Sequence, residues 1–212
     1  MNYGQMRDFI LQLINRYSVA GTKYPASYNN QQDYLNKIPM LINDGLLYVA
    51  SSIRKSTAQH FLRYAEGESY GNGYRRHILP EDCLEVCNGG LMVSDARAGE
   101  RRWLTEYILQ EPDFILVPER VKRDLVLEYY RRPQMLPEAP RDDTRIDAMA
   151  DTQYAVCYYV AAHLVIHDDN FLYATLYNEF ENRAARLVQA PTTEIRTVTD
   201  VYGFDGMGDC YG

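Results

Sequence analysis

Two pairs of side chains have the types and spacing to bind a metal. Cys83-x-x-x-Cys87 and His163-x-x-x-His167 would supply four ligands for a tetrahedral zinc if the fold brought them together. They are far apart in the chain and stand in regions of different texture. The plainer reading places the cysteines in a strand and its turn, and the histidines near a helix end as packing and capping groups. His163-Leu164-Val165-Ile166-His167 also lacks the glutamate that a zinc protease needs beside its first histidine. The pairs Asp168/Asp169 and Glu179/Glu181 could provide the acid and base of glycoside hydrolysis, but neighbours in sequence rarely face one bond. A helix N-cap and a solvated helix face account for them. Gly71, Gly73, Gly89 and Gly90 match neither the phosphate-loop nor the dinucleotide pattern and read as turn residues. The expectation is a chain with no catalytic residue, no metal and no cofactor.

Composition narrows the classes further. With 22 basic and 29 acidic residues among 212, the net charge is −7, which argues against a dedicated phosphate-binding surface. Arg75-Arg76 with Arg101-Arg102, and Arg120, Lys122, Arg123 with Arg131-Arg132, could form a local positive face. The favoured reading has these as solvated strand ends balanced by Glu100, Glu119, Asp124 and Glu128. Four cysteines, Cys83, Cys87, Cys157 and Cys210, are too few and too scattered for a disulfide framework, so reduced thiols are expected. The 19 tyrosines suit surfaces that a partner covers, although Tyr154, Tyr158 and Tyr159 on one helix read first as core. The most apolar uncharged run, Tyr154 to Ile166, is 13 residues long and too short to span a membrane. The opening residues lack the pattern of a signal peptide, so the chain is expected to act where it is made.

The elements that position these residues follow from periodicity. Met6, Phe9, Ile10, Leu13, Ile14 and Tyr17 predict an amphipathic helix over Tyr3 to Tyr17. A loop through Gly21, Pro25 and Asn29-Asn30 leads to a second helix from about Gln31 to Ile53, bent or begun at Pro39. From Gly67 to Arg132 the texture changes to short apolar runs broken by glycine and proline, which predicts strands. These are Arg75 to Leu79, Leu84 to Cys87, Leu91 to Ser94, Arg102 to Leu109, Asp113 to Val117 and Asp124 to Tyr130. One small antiparallel sheet inserted between helices is the expected arrangement. Pro133, Pro137 and Pro140 read as a stiff linker. A helix over Ile146 to Ile166 and another through Leu172, Leu176, Phe180, Ala184 and Leu187 then form an antiparallel hairpin, with Asp168 or Asp169 capping the second.

The predicted class is α+β: a bundle of about four helices, an inserted β region and an extended arm. Its parts are residues 1–66, the β insertion 67–132, the helical hairpin 133–190 and the arm 191–212. The stretch Thr192 to Tyr202 is rich in β-branched residues, and glycines at 203, 206, 208 and 212 follow it. Fully extended, the arm reaches about 70 Å, so it is expected to be either disordered or laid along a neighbour as an added strand. Ile195, Val198, Val201, Tyr202 and Phe204 are its candidate interface residues. No internal repeat is visible.

Several phrases stand in a familiar order: Asn43-Asp44-Gly45-Leu46-Leu47-Tyr48-Val49-Ala50, Leu127-Glu128-Tyr129-Tyr130-Arg131-Arg132-Pro133, Tyr154-Ala155-Val156-Cys157-Tyr158-Tyr159-Val160-Ala161-Ala162, His167-Asp168-Asp169-Asn170 and Tyr177-Asn178-Glu179-Phe180-Glu181. With the β-rich insertion between helices, the chain resembles the head-to-tail connector, or adaptor, proteins of tailed bacteriophages. The resemblance implies a structural virion protein made in the host cytoplasm and placed at the neck. It also implies a ring of about twelve copies that joins the portal protein to tail or tail-completion proteins, with DNA passing through without sequence-specific binding. Another tail-completion or minor capsid protein, a cell-wall hydrolase and a zinc-binding regulatory module are the alternatives.

Overall fold

Helix α1 (Tyr3–Leu13) begins at a reciprocal cap. The Asn2 side chain accepts from the Gln5 amide at 2.9 Å, and the Gln5 side chain accepts from the Asn2 amide at 3.0 Å. Met6, Ile10 and Leu11 bury one face of it. The computed structural model describes residues 1–14, 28–94, 101–110 and 113–188. Residues 15 to 17, expected to continue α1, and the arm 191–212 lie outside the described residues.

Helix α2 (Tyr28–Tyr48) starts before Gln31, so Asn29-Asn30 belongs to the helix and not to a loop. Pro39 lies inside it, and the helix continues on both sides. The expected extension to Ile53 is helical but wider: Val49–Ile53 forms a π turn, closed by the Arg54 amide on the Val49 carbonyl at 2.8 Å.

The β region starts earlier than Gly67. Strand β1 (Thr57–Leu62) already pairs, antiparallel, with β8 (Leu125–Arg131). Its single buried residue, Leu62, gives no readable alternation, so the sequence alone leaves residues 57–62 with the N-terminal part. Between them lie β2 (Glu68–Gly71), β3 (Tyr74–Ile78), β4 (Cys83–Ser94), β5 (Arg101–Trp103), β6 (Ile108–Gln110) and β7 (Phe114–Pro118). Instead of one sheet the described residues make two four-stranded sheets, ordered β1-β8-β4-β5 and β2-β3-β7-β6. Leu62, Leu91, Leu125 and Leu127 of the first share an apolar cluster with Ile115 and Val117 of the second.

Two expectations about these strands are corrected. Leu84 to Cys87 and Leu91 to Ser94 are parts of one strand, β4, with Gly89-Gly90 inside it as a bulge. Gly89 has φ +70°, and a Cβ on Gly90 would stand 2.3 Å from the Glu128 carbonyl oxygen, so only glycine lets the backbones pass. Arg102 to Leu109 is not one strand. It divides into β5 and β6, which belong to different sheets. Gly71-Asn72-Gly73 is the turn expected of it, all three residues having positive φ.

Helices α3 (Ala150–Val165) and α4 (Asn170–Val188) form the hairpin. Asp169 is the cap, accepting from the amides of Phe171 and Leu172 at 3.0 and 2.9 Å. Helix α3 is buried through Ala155, Val156, Cys157, Val160, Ala161 and Ala162, because α1, α2 and α4 all pack on it. Gly45 of α2 is needed for that approach: a Cβ there would lie 2.9 Å from Tyr159 Cδ1 and 3.1 Å from Val156 Cγ1.

Candidate interaction surface

Strand β8 leaves the sheets through Arg131-Arg132-Pro133, and the chain then crosses to the helices. Arg131 forks onto Asp147, its Nη1 and Nη2 donating at 2.8 and 2.7 Å. The Gln134 amide donates to the same carboxylate at 2.9 Å. The Arg131 bond, with that amide, holds the Asp147 carboxyl below its ordinary range against the opposing effect of burial. Further along, Asn43 of α2 accepts from the Leu136 amide at 2.7 Å and donates to the Leu136 carbonyl at 2.9 Å. Pro133 and Leu136 are buried, so the proline-rich connection is fastened to the helical body.

Beside this fastening lies a cleft of about 1040 Å³ between the sheets and the helices. Arg132, Gln134, Arg145 and the half-exposed Met135 and Met149 line one part, and Glu81 and Asp82 another. Asp82 accepts from the Tyr129 hydroxyl at 2.9 Å, and burial together with that bond pushes the tyrosine pKa up to about 12. The cleft joins a smaller hollow at Arg54, Ala148 and Met149. Arg54 in turn edges a third, of about 230 Å³, with Asp151, Tyr154, Arg183, Arg186 and Leu187 at the end of α4. The first two hollows share Arg131, Pro133, Asp147, Ala148 and Met149, and the third shares Arg54 with the second.

The residues singled out for chemistry are kept apart by the fold. Cys83 and Cys87 are on β4, whereas His163 is on α3 and His167 just past its end. His163 Nδ1 lies 2.8 Å from the Tyr159 carbonyl, and its ring packs 4.1 Å from that of Tyr159. Burial raises the Cys87 thiol pKa. Among the described residues, no group of three or more His, Cys, Asp or Glu is arranged to hold a metal. Asp168 accepts from the Tyr34 hydroxyl, and Glu179 pairs with Arg183 at 2.9 Å.

No protein-family model matches the chain, and no curated protein matches it.

Of the basic clusters, Arg120, Lys122, Arg123 and Arg132 are exposed as expected, whereas Arg75 and Arg76 are partly buried. Arg75 stacks 4.2 Å over Tyr64 and donates to the carbonyls of Tyr64 and Gly67 at 3.1 and 2.6 Å. Arg76 stands 4.6 Å over Phe114. Arg120 pairs with Glu106 and Arg131 with Asp147. Of the expected counter-charges, Glu119 instead accepts from Ser69 and Asp124 from the Tyr64 amide. Tyr159 is core, its hydroxyl donating to Asp44 at 2.5 Å, while Tyr154 is 42% exposed. Ile195, Val198, Val201, Tyr202 and Phe204 lie outside the described residues. Sequence reading missed Asn43, Gly45 and Asp147. A usable signal was present: Asn43-Asp44-Gly45 are poor helix formers inside an apolar helical period, which marks a position where tertiary contacts decide.

Proposed function

We propose that the chain is a structural subunit of a phage head-to-tail connector, and not an enzyme. About twelve copies form a ring beneath the portal protein, carry the tail or tail-completion proteins, and line the passage for DNA. The protein would thus be made in the bacterial host cytoplasm and reside at the virion neck. The resemblance in sequence motivates this reading. The observation that carries it is the distribution of uncovered apolar groups. Phe171 is 84% exposed, Ile78 67%, Met40 64% and Phe61 61%, and they belong to helices and sheets alike. A chain that ends its life between neighbours has reason to keep such groups on several faces, since many modest contacts add when a ring closes. Strand β1 is the outer strand of its sheet among the described residues, an edge to which another extended chain can add. The net charge of −7 suits a conduit that must not hold phosphates.

Copy number in purified virions, from quantitative peptide mass spectrometry against the major capsid protein, tests the reading. About twelve per particle is the expected result. Hundreds would make it a capsid or tail-tube protein, a different low number a tail-completion or minor capsid component, and absence from the particle would overturn the structural reading. Deletion of residues 191–212 should preserve the circular dichroism of the domain and abolish attachment to the portal. Val198→Pro should weaken that attachment by removing a strand donor.

A further inference from the structure

We infer that His77 is an acid-operated latch in the β body: when it takes up a proton in mildly acidic solution, the sheet β2-β3-β7-β6 parts from β1-β8-β4-β5 while the helical body holds. His77 lies on β3 opposite Ile115 of β7 and is 5% exposed. Alternation along the strands puts it on the face that carries Ile115 and Val117. That face meets the other sheet, where Leu62, Leu125 and Leu127 complete the apolar cluster. Among the described residues, His77 is the one buried side chain whose ordinary pKa lies near neutrality.

The imidazole is also held in place. The backbone of Gly67 passes so close that a Cβ there would stand 2.6 Å from His77 Cε1 and 2.7 Å from Arg75 Cδ. Arg75 is fixed as well, since its guanidinium donates to the carbonyls of Tyr64 and Gly67 and stacks over the Tyr64 ring. A charge gained by His77 would therefore stand beside a guanidinium that cannot swing away, in a place with little water. Next to it, where β1 meets β3, is a hollow of about 350 Å³ lined by His60, Leu62, Glu66, His77 and Glu81. The charged and titratable groups around His77 are thus Arg75 on its own strand, His60 on β1, Glu66 in the turn before β2 and Glu81 after β3. Burial, the largest influence, lowers the His77 pKa together with Arg75, and the opposing pull of Glu66 does not reverse this.

A base whose pKa is lower in the folded state binds protons more readily once the structure opens. Stability of the β body is therefore complete above the unfolded value of about 6.5 and falls as pH drops below it, until the lower folded value is reached. At about pH 5.5 the rise in the opening constant has a ceiling of about tenfold, and the ordinary carboxylate range still lies lower. His163 and His167 belong to the helical hairpin, so a change confined to the β body points away from them. The inference does not rest on the connector reading.

The test follows urea unfolding of the full chain at about pH 7.5 and about pH 5.5, with fluorescence of Trp103 on β5 reporting the β body and ellipticity at 222 nm the helices. On going to the lower pH, the opening constant read by fluorescence should rise severalfold and that read by dichroism should stay unchanged. His77→Gln should lose most of this dependence, and His60→Gln should keep it. Equal pH dependence in the parent and His77→Gln would overturn the inference. The parent alone gives a second measurement that does not require the variant to fold. In an NMR titration the His77 ring should stay neutral well below pH 6.5 and take up its proton together with loss of the β-strand amide signals. Protonation at or above about pH 6.5, or protonation with those amides intact, would overturn the inference.

Discussion

The helical body and the β body meet the same requirement, an apolar interior, by different means. Among the described residues the helical cluster holds twenty-five buried side chains, from Tyr3 to Leu187, and the sheet cluster holds nine. The first gathers segments from both ends of the described chain around α3. The second is built within one continuous stretch and is also held by polar contacts: Arg75 over Tyr64 and onto its carbonyl, Tyr129 onto Asp82, Asp124 accepting from the Tyr64 amide. A small core contributes little stability by burial, so the β body should be the first to open. The junction at Arg131, Asp147, Asn43 and Leu136 decides whether it opens alone.

The chain has one tryptophan, Trp103, on β5, so its fluorescence reports on the β body while ellipticity at 222 nm follows the helices. In urea, the fluorescence transition of the parent should precede the dichroism transition, and coincident curves would erase the distinction between the bodies. The largest effects should come from core truncation. Phe180→Ala, at a residue 1% exposed, should cost about 4 kcal/mol in the dichroism transition, and Leu127→Ala about 3 kcal/mol in the fluorescence transition. Gly45→Val should cost about 2 kcal/mol by forcing α2 from α3, with the fluorescence midpoint less affected.

The Asp147 carboxyl has its pKa lowered in the fold by Arg131, so its contribution is complete above the unfolded value of about 3.9. It is lost as pH falls through the lower folded value. Acid should therefore separate the two transitions further, and Asp147→Asn should separate them at neutral pH and remove that acid dependence. The smallest effect should be that of Asp169→Ala, about 1 kcal/mol for a lost helix cap, seen in dichroism alone.

Legibility in the sequence followed the range of the interactions. The face of α1, the hairpin α3–α4, the Asp169 cap and the alternation of β8 depend on residues within a turn or two, and period and capping chemistry reveal them. Strand β1 was hidden because its partner is β8, across the whole β region, and its own burial is minimal. The bulge at Gly89-Gly90 looked like a turn because glycine serves both purposes; the Glu128 carbonyl across the ladder separates them. The hollows between sheets and helices were illegible for the same reason, since Arg54, Arg145 and Arg186, which line them, are far apart in the sequence.

The sequence by itself determined the α+β class, the alternation of helical and extended stretches, the acidity, and the lack of any contiguous catalytic or phosphate-binding motif. These depend on composition and local period. Only the tertiary structure decided that the strands form two sheets around one cluster, that Arg131 is held by Asp147, and that the metal-like pairs stand on different bodies. Each joins residues distant in the chain, and backbone pairing and close packing select among arrangements that local preference leaves equal.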